Sequence, residues 1–302
     1  MKQFAEQLRP DALVMFLLHG VVPEPVPGVR NYTGKHLDAA RFRGLCEALL
    51  AAGGTPVTAD GLVRALSGEQ ELPPRAFLLS FDDGFRNNLT VAAPIMRELG
   101  ITGVFYVTTR FVDEDGASWI DLIEDAIARS TEEALSLPWE ERSRRLDGDA
   151  GRIELLDEVR RVVKTRDDLD PEAVAEQIME RAGTGPFQPH PQLDAKLTWD
   201  EVRELDAIAG FVVGGHTHTH RILSHLDGDQ LAAELDRSLE LLSPALGRPV
   251  RHYSYPEGLE HCYSDAVIAA LRERGIVCCP TAEPGVNRVG DDLFRLRRIE
   301  VR

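Results

Sequence analysis

The amino-acid sequence predicts an α/β fold built on a parallel sheet, with a (β/α) barrel favoured over a doubly wound sheet. Short apolar runs alternate with stretches of helical periodicity and short loops, the pattern of repeated strand and helix units. Four of these runs lead into a polar residue beside glycine: at His19, at Asp82 and Asp83, at His216, and at the turn Pro256-Glu257-Gly258. Barrels gather functional residues at C-terminal strand ends, so this placement selects the barrel. With 302 residues and 43% hydrophobic content the chain can bury a full core, and residues 1–302 are read as one domain.

The elements follow in order. Residues 12–18 form a first strand, a proline-rich loop covers 23–28, and 39–52 has helical spacing with Leu45, Leu49 and Leu50 on its apolar face. Residues 76–80 are a buried strand, 88–99 a helix stopped by Gly100, and 102–108 a second β-rich run. Thr198 caps a helix over 198–209, with Glu201 completing a capping box. Residues 211–213 then run into Gly214 and Gly215. The last third repeats the alternation: helix 229–242, strand 250–255, helix 265–274, strand 276–279. Residues 116–196 break it, being charged and mostly helical, with amphipathic segments at 153–163 and 171–181 and a loop at 183–191. They read as an insertion between two barrel units.

Composition excludes some partners. A formal charge of −16 argues against a nucleic-acid polymer, which needs a basic face. Cys46, Cys262, Cys278 and Cys279 show no CxxC spacing and read as reduced, partly buried thiols. The apolar run 12–18 is shorter than a membrane span and follows Glu6, Arg9 and Asp11, so it suits a strand better than a signal core. A cytoplasmic enzyme is the expectation; homo-oligomerisation is left open.

An Asp-Asp-Gly after a strand is by itself often only a turn, and a His-rich tract flanked by threonine is by itself as much a solvated cap as a ligand pair. Together, on one rim, Asp83, His216 and His220 supply a carboxylate and two imidazoles for a divalent metal, with Asp82 as a spare carboxylate. The histidines, four apart, meet if their segment takes a helical turn; His218 then points away. Two imidazoles and one carboxylate suit zinc, and also nickel, cobalt or iron.

Residues 77–107, FLLSFDDGFRNNLTVAAPIMRELGITGVFYV, closely resemble the first motif region of the NodB-type polysaccharide deacetylases, a carbohydrate esterase family. Residues 197–220, LTWDEVRELDAIAGFVVGGHTHTH, resemble its second motif with the preceding helix. The resemblance implies a distorted or incomplete (β/α) barrel, here with a helical insertion, carrying a metal-dependent amide hydrolase that removes acetyl from an N-acetylated amino sugar. Asp82 then matches the general base, and Asp83, His216 and His220 the metal ligands. The backbone N–H of Glu257 matches an oxyanion donor of the third motif, and with Pro256 and Tyr255 of the same segment it makes up the oxyanion and substrate-binding residues that the resemblance implies.

Two departures follow. Ser254 stands where many members carry an arginine, and the Leu-x-His that supplies their general acid is absent near the C-terminus. The branch resembling poly-N-acetylglucosamine deacetylases places a histidine at the end of an N-terminal strand in the acid's role, which His19 matches. Arg298, helped by Arg251, is the candidate partner of Asp82, against the plainer reading of surface arginine. His36 and the Glu257 side chain are candidates for substrate contact. The expected substrate is an N-acylated amino sugar, free or on a nucleotide or lipid carrier. The alternatives are deformylation of a formamido sugar or hydrolysis of another small amide or imide, and a non-catalytic carbohydrate-binding relative.

Overall fold

A computed structural model describes residues 1–114 and 116–302. By its internal contacts the chain divides into two compact units. Residues 1–24, 36–116 and 196–302 form the first; residues 25–35 and 117–195 form the second.

The first unit opens with α1 (Lys2–Ala5), β1 (Val14–Leu18), β2 (Gly20–Val22), β3 (His36–Asp38) and α2 (Ala39–Ala51). It continues with β4 (Thr55–Pro56), α3 (Ala59–Leu66), β5 (Ala76–Phe81), a π turn at Asn88–Ala92, α4 (Ala93–Glu98), β6 (Gly103–Val107) and α5 (Thr109–Asp113). The second unit contributes α6 (Trp119–Arg129), an antiparallel pair β7 (Ala134–Ser136) and β8 (Ser143–Arg145), α7 (Gly148–Thr165) and α8 (Pro171–Ala182). The chain then returns to the first unit through α9 (Trp199–Asp206), β9 (Phe211–Gly215), α10 (Gly228–Leu246), α11 (Asp265–Glu273) and β10 (Arg298–Glu300).

The main sheet has strand order β10-β1-β5-β6-β9, all parallel, with β4 beside the start of β5. Every residue of β1 and β5 is buried, as continuous apolar runs in a parallel sheet covered on both faces require. The two-residue period sorts them. Val14, Phe16, Leu18, Phe77, Leu79 and Phe81 pack in one core with Phe42 and Leu45 of α2. Leu13, Met15, Leu78, Val104 and Tyr106 pack in another, closed by Leu62 and Leu66 of α3. Ser80 and Asp82 continue the face of Leu78, and that face carries the chemistry.

Beyond β9 the ring goes on through short bridges of one or two hydrogen bonds each. Ser254 N–H donates to Gly215 O (2.9 Å), Tyr253 N–H to Cys278 O (2.9 Å), Thr281 N–H to Leu296 O (2.8 Å) and Arg298 N–H to Glu283 O (2.9 Å). Strands expected at 250–255 and 276–279 are thus extended segments joined by isolated bridges. Pro249, Pro256 and Pro280 bracket them, and a proline offers no N–H to lengthen a ladder. The result is a parallel α/β sheet of the distorted, incomplete barrel type.

The helix expected over 88–99 also differs. Pro94 lacks an N–H and its ring crowds the carbonyl four residues back, so the first turn widens to a π turn before α4 begins. The expected capping box of α9 is present, with Thr198 Oγ1 accepting from Glu201 N–H (3.3 Å) and Glu201 Oε2 accepting from Thr198 N–H (3.0 Å). The second unit has its own core, including Val29, Ile123, Ile127, Leu156, Val159 and Ile178. Arg30 bonds Asp125 (3.2 Å) and Asp194 (2.5 Å) within it. All four cysteines are buried free thiols. Among the described residues no helix is long and apolar enough to cross a membrane.

Gly215, at the end of β9, has no room for a side chain, because a Cβ there would lie 2.2 Å from the Tyr253 ring. Gly215→Ala is expected to destabilise the fold by about 1–3 kcal/mol, the usual cost of overpacking a core. Thermal denaturation checks this: a lower Tm is expected, and an unchanged Tm would mean that the Tyr253 ring yields freely.

Candidate metal centre and active site

The site forms where β1, β5 and β9 end. Asp82 and Asp83 follow β5, and the tract His216 to His220 follows β9. His216 N–H donates to Val107 O (2.9 Å), which docks the tract on the end of β6. The two histidines meet through a bend rather than the expected helical turn. Thr217 (φ 65°) and His220 (φ 63°) are left-handed, and His220 N–H donates to Thr217 Oγ1 (2.9 Å). Thr217 N–H donates to the Tyr253 hydroxyl (3.0 Å), and Thr219 donates through N–H and hydroxyl to the Glu234 carboxylate.

Among the described residues five non-glycine residues have positive φ: Arg75, Asp83, Thr217, His220 and Glu257. Four of them lie in the three motif segments. Such conformations cost about 1–3 kcal/mol each and persist where the surroundings over-determine them, typically at functional sites.

The bend brings Asp83, His216 and His220 together, with ligand atoms all within 4.8 Å of one another. Asp83 Oδ1 is 3.6 Å from His216 Nε2 and 3.2 Å from His220 Nε2. His216 Nδ1 lies 2.9 Å from the carbonyl oxygen of Ser254. A carbonyl only accepts, so the ring proton sits on Nδ1 and Nε2 presents its lone pair to Asp83 and His220. Burial pushes the His216 pKa down to about 4, which keeps the ring neutral, the state that binds metal. One carboxylate oxygen and two imidazole nitrogens in this arrangement fit a divalent transition ion. His218 is directed elsewhere, its Nδ1 3.0 Å from Thr109 Oγ1, as expected.

Asp82 stands beside these three. Its Oδ2 is 4.0 Å from His216 Nε2. Its two oxygens accept from Arg298 Nη1 and Nη2, both at 2.9 Å. Arg298 is 1% exposed and not a surface residue. Its remaining donors reach Thr281 O (2.6 Å), Ser80 Oγ (3.4 Å) and Ser254 Oγ (3.0 Å). Burial alone would push the Asp82 carboxyl up, but the Arg298 charge outweighs it and holds the carboxyl below the usual range. Ser254, where an arginine was expected, is small enough to admit this guanidinium from β10. Arg251 is exposed and its charge is felt by Asp60 of α3, so it does not assist Arg298 as expected.

The other expected residues separate. His19 follows β1, is partly exposed, and its charge helps hold Asp82 ionised. Pro256 is buried, and Glu257 is partly exposed in a left-handed conformation (φ 61°). The Tyr255 side chain is fully buried, donates its hydroxyl to Phe294 O (3.1 Å) and stacks on Tyr263, so it packs the core instead of facing substrate. His36 is 5% exposed, meets Phe85 edge to face and lies 3.0 Å from Asn87 Nδ2, which makes it a packing residue too.

Sequence reasoning missed Lys196, the boundary of the charged segment. It is 4% exposed, with Nζ 3.6 Å from the Phe85 ring centroid and 5.1 Å from that of Phe111, whose ring stacks on His220. It also missed Glu234, which is buried under Thr219. A lone lysine and a mid-helix glutamate carry no spacing signal that marks them.

A donor set of this kind, with an ionised carboxylate beside it on the rim of a parallel α/β sheet, is the framework of a hydrolase. Residues 69–279 match the family model described as polysaccharide deacetylase, and the chain belongs to that family. Similar solved structures include the Streptococcus pyogenes deacetylase PplD in complex with acetate (16% identity, TM-score 0.63, covering 97% of this chain and 93% of that one). IcaB from Ammonifex degensii is similar at 19% identity and TM-score 0.62, over 98% and 94% of the two chains. The deacetylase domain of BpsB from Bordetella bronchiseptica has 15% identity and TM-score 0.58, over 97% of each chain. At these identities the likeness is one of fold. No curated protein matches the chain.

Two outcomes follow from the buried charges. His216 titrates near 4 when folded and near 6.5 when unfolded, so the unfolded chain binds more protons between these values. Metal-free protein is therefore expected to lose up to roughly 3 kcal/mol of stability as pH falls from 6.5 to 4. Denaturant unfolding across that range checks it, and His216→Gln is expected to flatten the dependence. Arg298→Met would leave Asp82 buried and unpaired, costing about 3–5 kcal/mol. It would also raise the Asp82 pKa, so the acidic limb of kcat/KM is expected to move to higher pH.

Proposed function

We propose that the chain is a metal-dependent hydrolase that removes the N-acetyl group of an amino sugar. One observation carries the reading: Asp83, His216 and His220 converge beside Asp82, which Arg298 holds apart and ionised. Held by those three side chains, a divalent ion, zinc first and nickel, cobalt or iron as alternatives, supplies Lewis acidity that acidifies water and polarises the acyl oxygen.

The remaining work falls to the chain. Asp82, kept ionised, takes a proton from the water that attacks the acyl carbon, and Arg298 fixes the direction from which it does so. The backbone N–H of Glu257 stabilises the charge that builds on the acyl oxygen; the left-handed backbone there, between Pro256 and Gly258, supports a dedicated conformation. His19 donates a proton to the sugar nitrogen as the C–N bond breaks, giving acetate and a free amine. Imidazole, the side chain that gains and loses a proton most readily near neutral pH, suits that task. Its place after β1, with its charge felt at Asp82, supports it.

The substrate is an N-acetylated amino sugar, in a saccharide or on a nucleotide or lipid carrier. Family membership supports the sugar, and the acetate bound in the Streptococcus pyogenes relative supports the acyl group. Metal-loaded protein incubated with N-acetylglucosamine oligomers and nucleotide conjugates is expected to release acetate. Asp82→Asn and His19→Ala are each expected to lower kcat by about 10²–10⁴ while metal content stays at the wild-type level. Release of formate from a formamido sugar without release of acetate would replace the acyl assignment. Loaded protein that releases neither would overturn the hydrolase reading.

A further inference from the structure

Asn87 and Asn88 are 7% and 0% exposed, and each brings into the interior an amide with donors and acceptors to satisfy. They stand at the start of the π turn Asn88–Ala92. Neighbouring residues of a regular α-helix diverge and do not share a target. Here both side chains reach one segment, the three residues after β1. Asn88 Nδ2 donates to the His19 carbonyl (2.7 Å), and Asn87 Oδ1 accepts from Val21 N–H (3.1 Å).

Gly20 lies between those two bonds, and a Cβ there would fall 1.9 Å from His36 Nδ1 and 2.9 Å from Asn87 Oδ1. Only glycine admits the clamp. His36 in turn backs it, with Asn87 Nδ2 3.0 Å from its Nδ1. Among the described residues Asn88 Oδ1 is buried with no hydrogen-bond partner, a cost the side chain carries while its Nδ2 serves the His19 carbonyl. An apolar residue of similar shape would avoid that cost but would leave the His19 carbonyl without this donor.

We propose that Asn88, backed by Asn87, is a positioning residue that fixes the His19 backbone so that the imidazole is held where it protonates the leaving amine. The assignment rests on the reading of His19 as the general acid. It gives the FRNN segment of the first motif region and the His19-Gly20 pair one joint role: the π turn that begins at the end of the former holds the latter.

A double-mutant cycle tests it. Asn88→Ala and Asn88→Leu, the second keeping the branched shape without the amide, are each measured alone and in a His19→Ala background, with KM and metal content followed. Each single change is expected to lower kcat by about 10- to 100-fold, as misplacement of a reacting group does, with KM and metal content unchanged. In the His19→Ala background the same changes are expected to alter kcat by less than about twofold, because coupled residues fail to add. Recovery of kcat by Leu but not Ala, equal losses in both backgrounds, or a fall in kcat that tracks loss of folded protein by circular dichroism would each overturn the proposal. His19→Ala alone leaving kcat unchanged would instead overturn the acid assignment beneath it.

Discussion

The bidentate pair between Arg298 and Asp82 is the interaction on which the rest of the site depends. Two adjacent aspartates beside two histidines have no intrinsic reason to divide their labour, since either carboxylate could reach a cation. Arg298 divides it. By occupying both oxygens of Asp82 it leaves Asp83 as the carboxylate that faces the imidazoles. It also outweighs the burial that would otherwise protonate Asp82. A lone buried arginine would be costly; this one is satisfied by Thr281, Ser80 and Ser254 as well as by its counter-ion.

That arrangement reaches back into the fold. Arg298 opens β10, which pairs with β1, and Asp82 follows β5, the other neighbour of β1. The ion pair therefore bridges two strands that flank the strand carrying His19. The small face residue Ser80 leaves room for the guanidinium inside the sheet, and Ser254 closes it from the segment after β9. A change in strand order would take Asp82, Arg298 and His19 apart together.

Much of this was legible in the chain. The strand before Asp82, the strand before His216, the capping box of Thr198 and the grouping of Asp83, His216 and His220 follow from apolar runs, glycines and residue chemistry at short range. What sequence did not disclose is set at long range or by backbone strain. The left-handed residues Thr217 and His220 make the histidines meet without a helical turn, and β-branched threonine is a residue no local rule assigns there. Pro94 widened a helix into a π turn. Tyr255, a candidate through the third motif, and His36, a candidate through its loop, are both buried by partners far away in sequence. Lys196, between Phe85 and Phe111, belongs to the same class of feature, invisible until the chain closes on itself.

The central claim is a division of roles between two neighbouring carboxylates, and the position of a bound cation reads it directly. Anomalous diffraction from crystals grown with zinc is expected to place the ion among Asp83, His216 and His220, with Asp82 still bonded to Arg298 and outside the coordination sphere. An ion ligated by Asp82 with Arg298 released, or one bound away from these three side chains, would contradict the account.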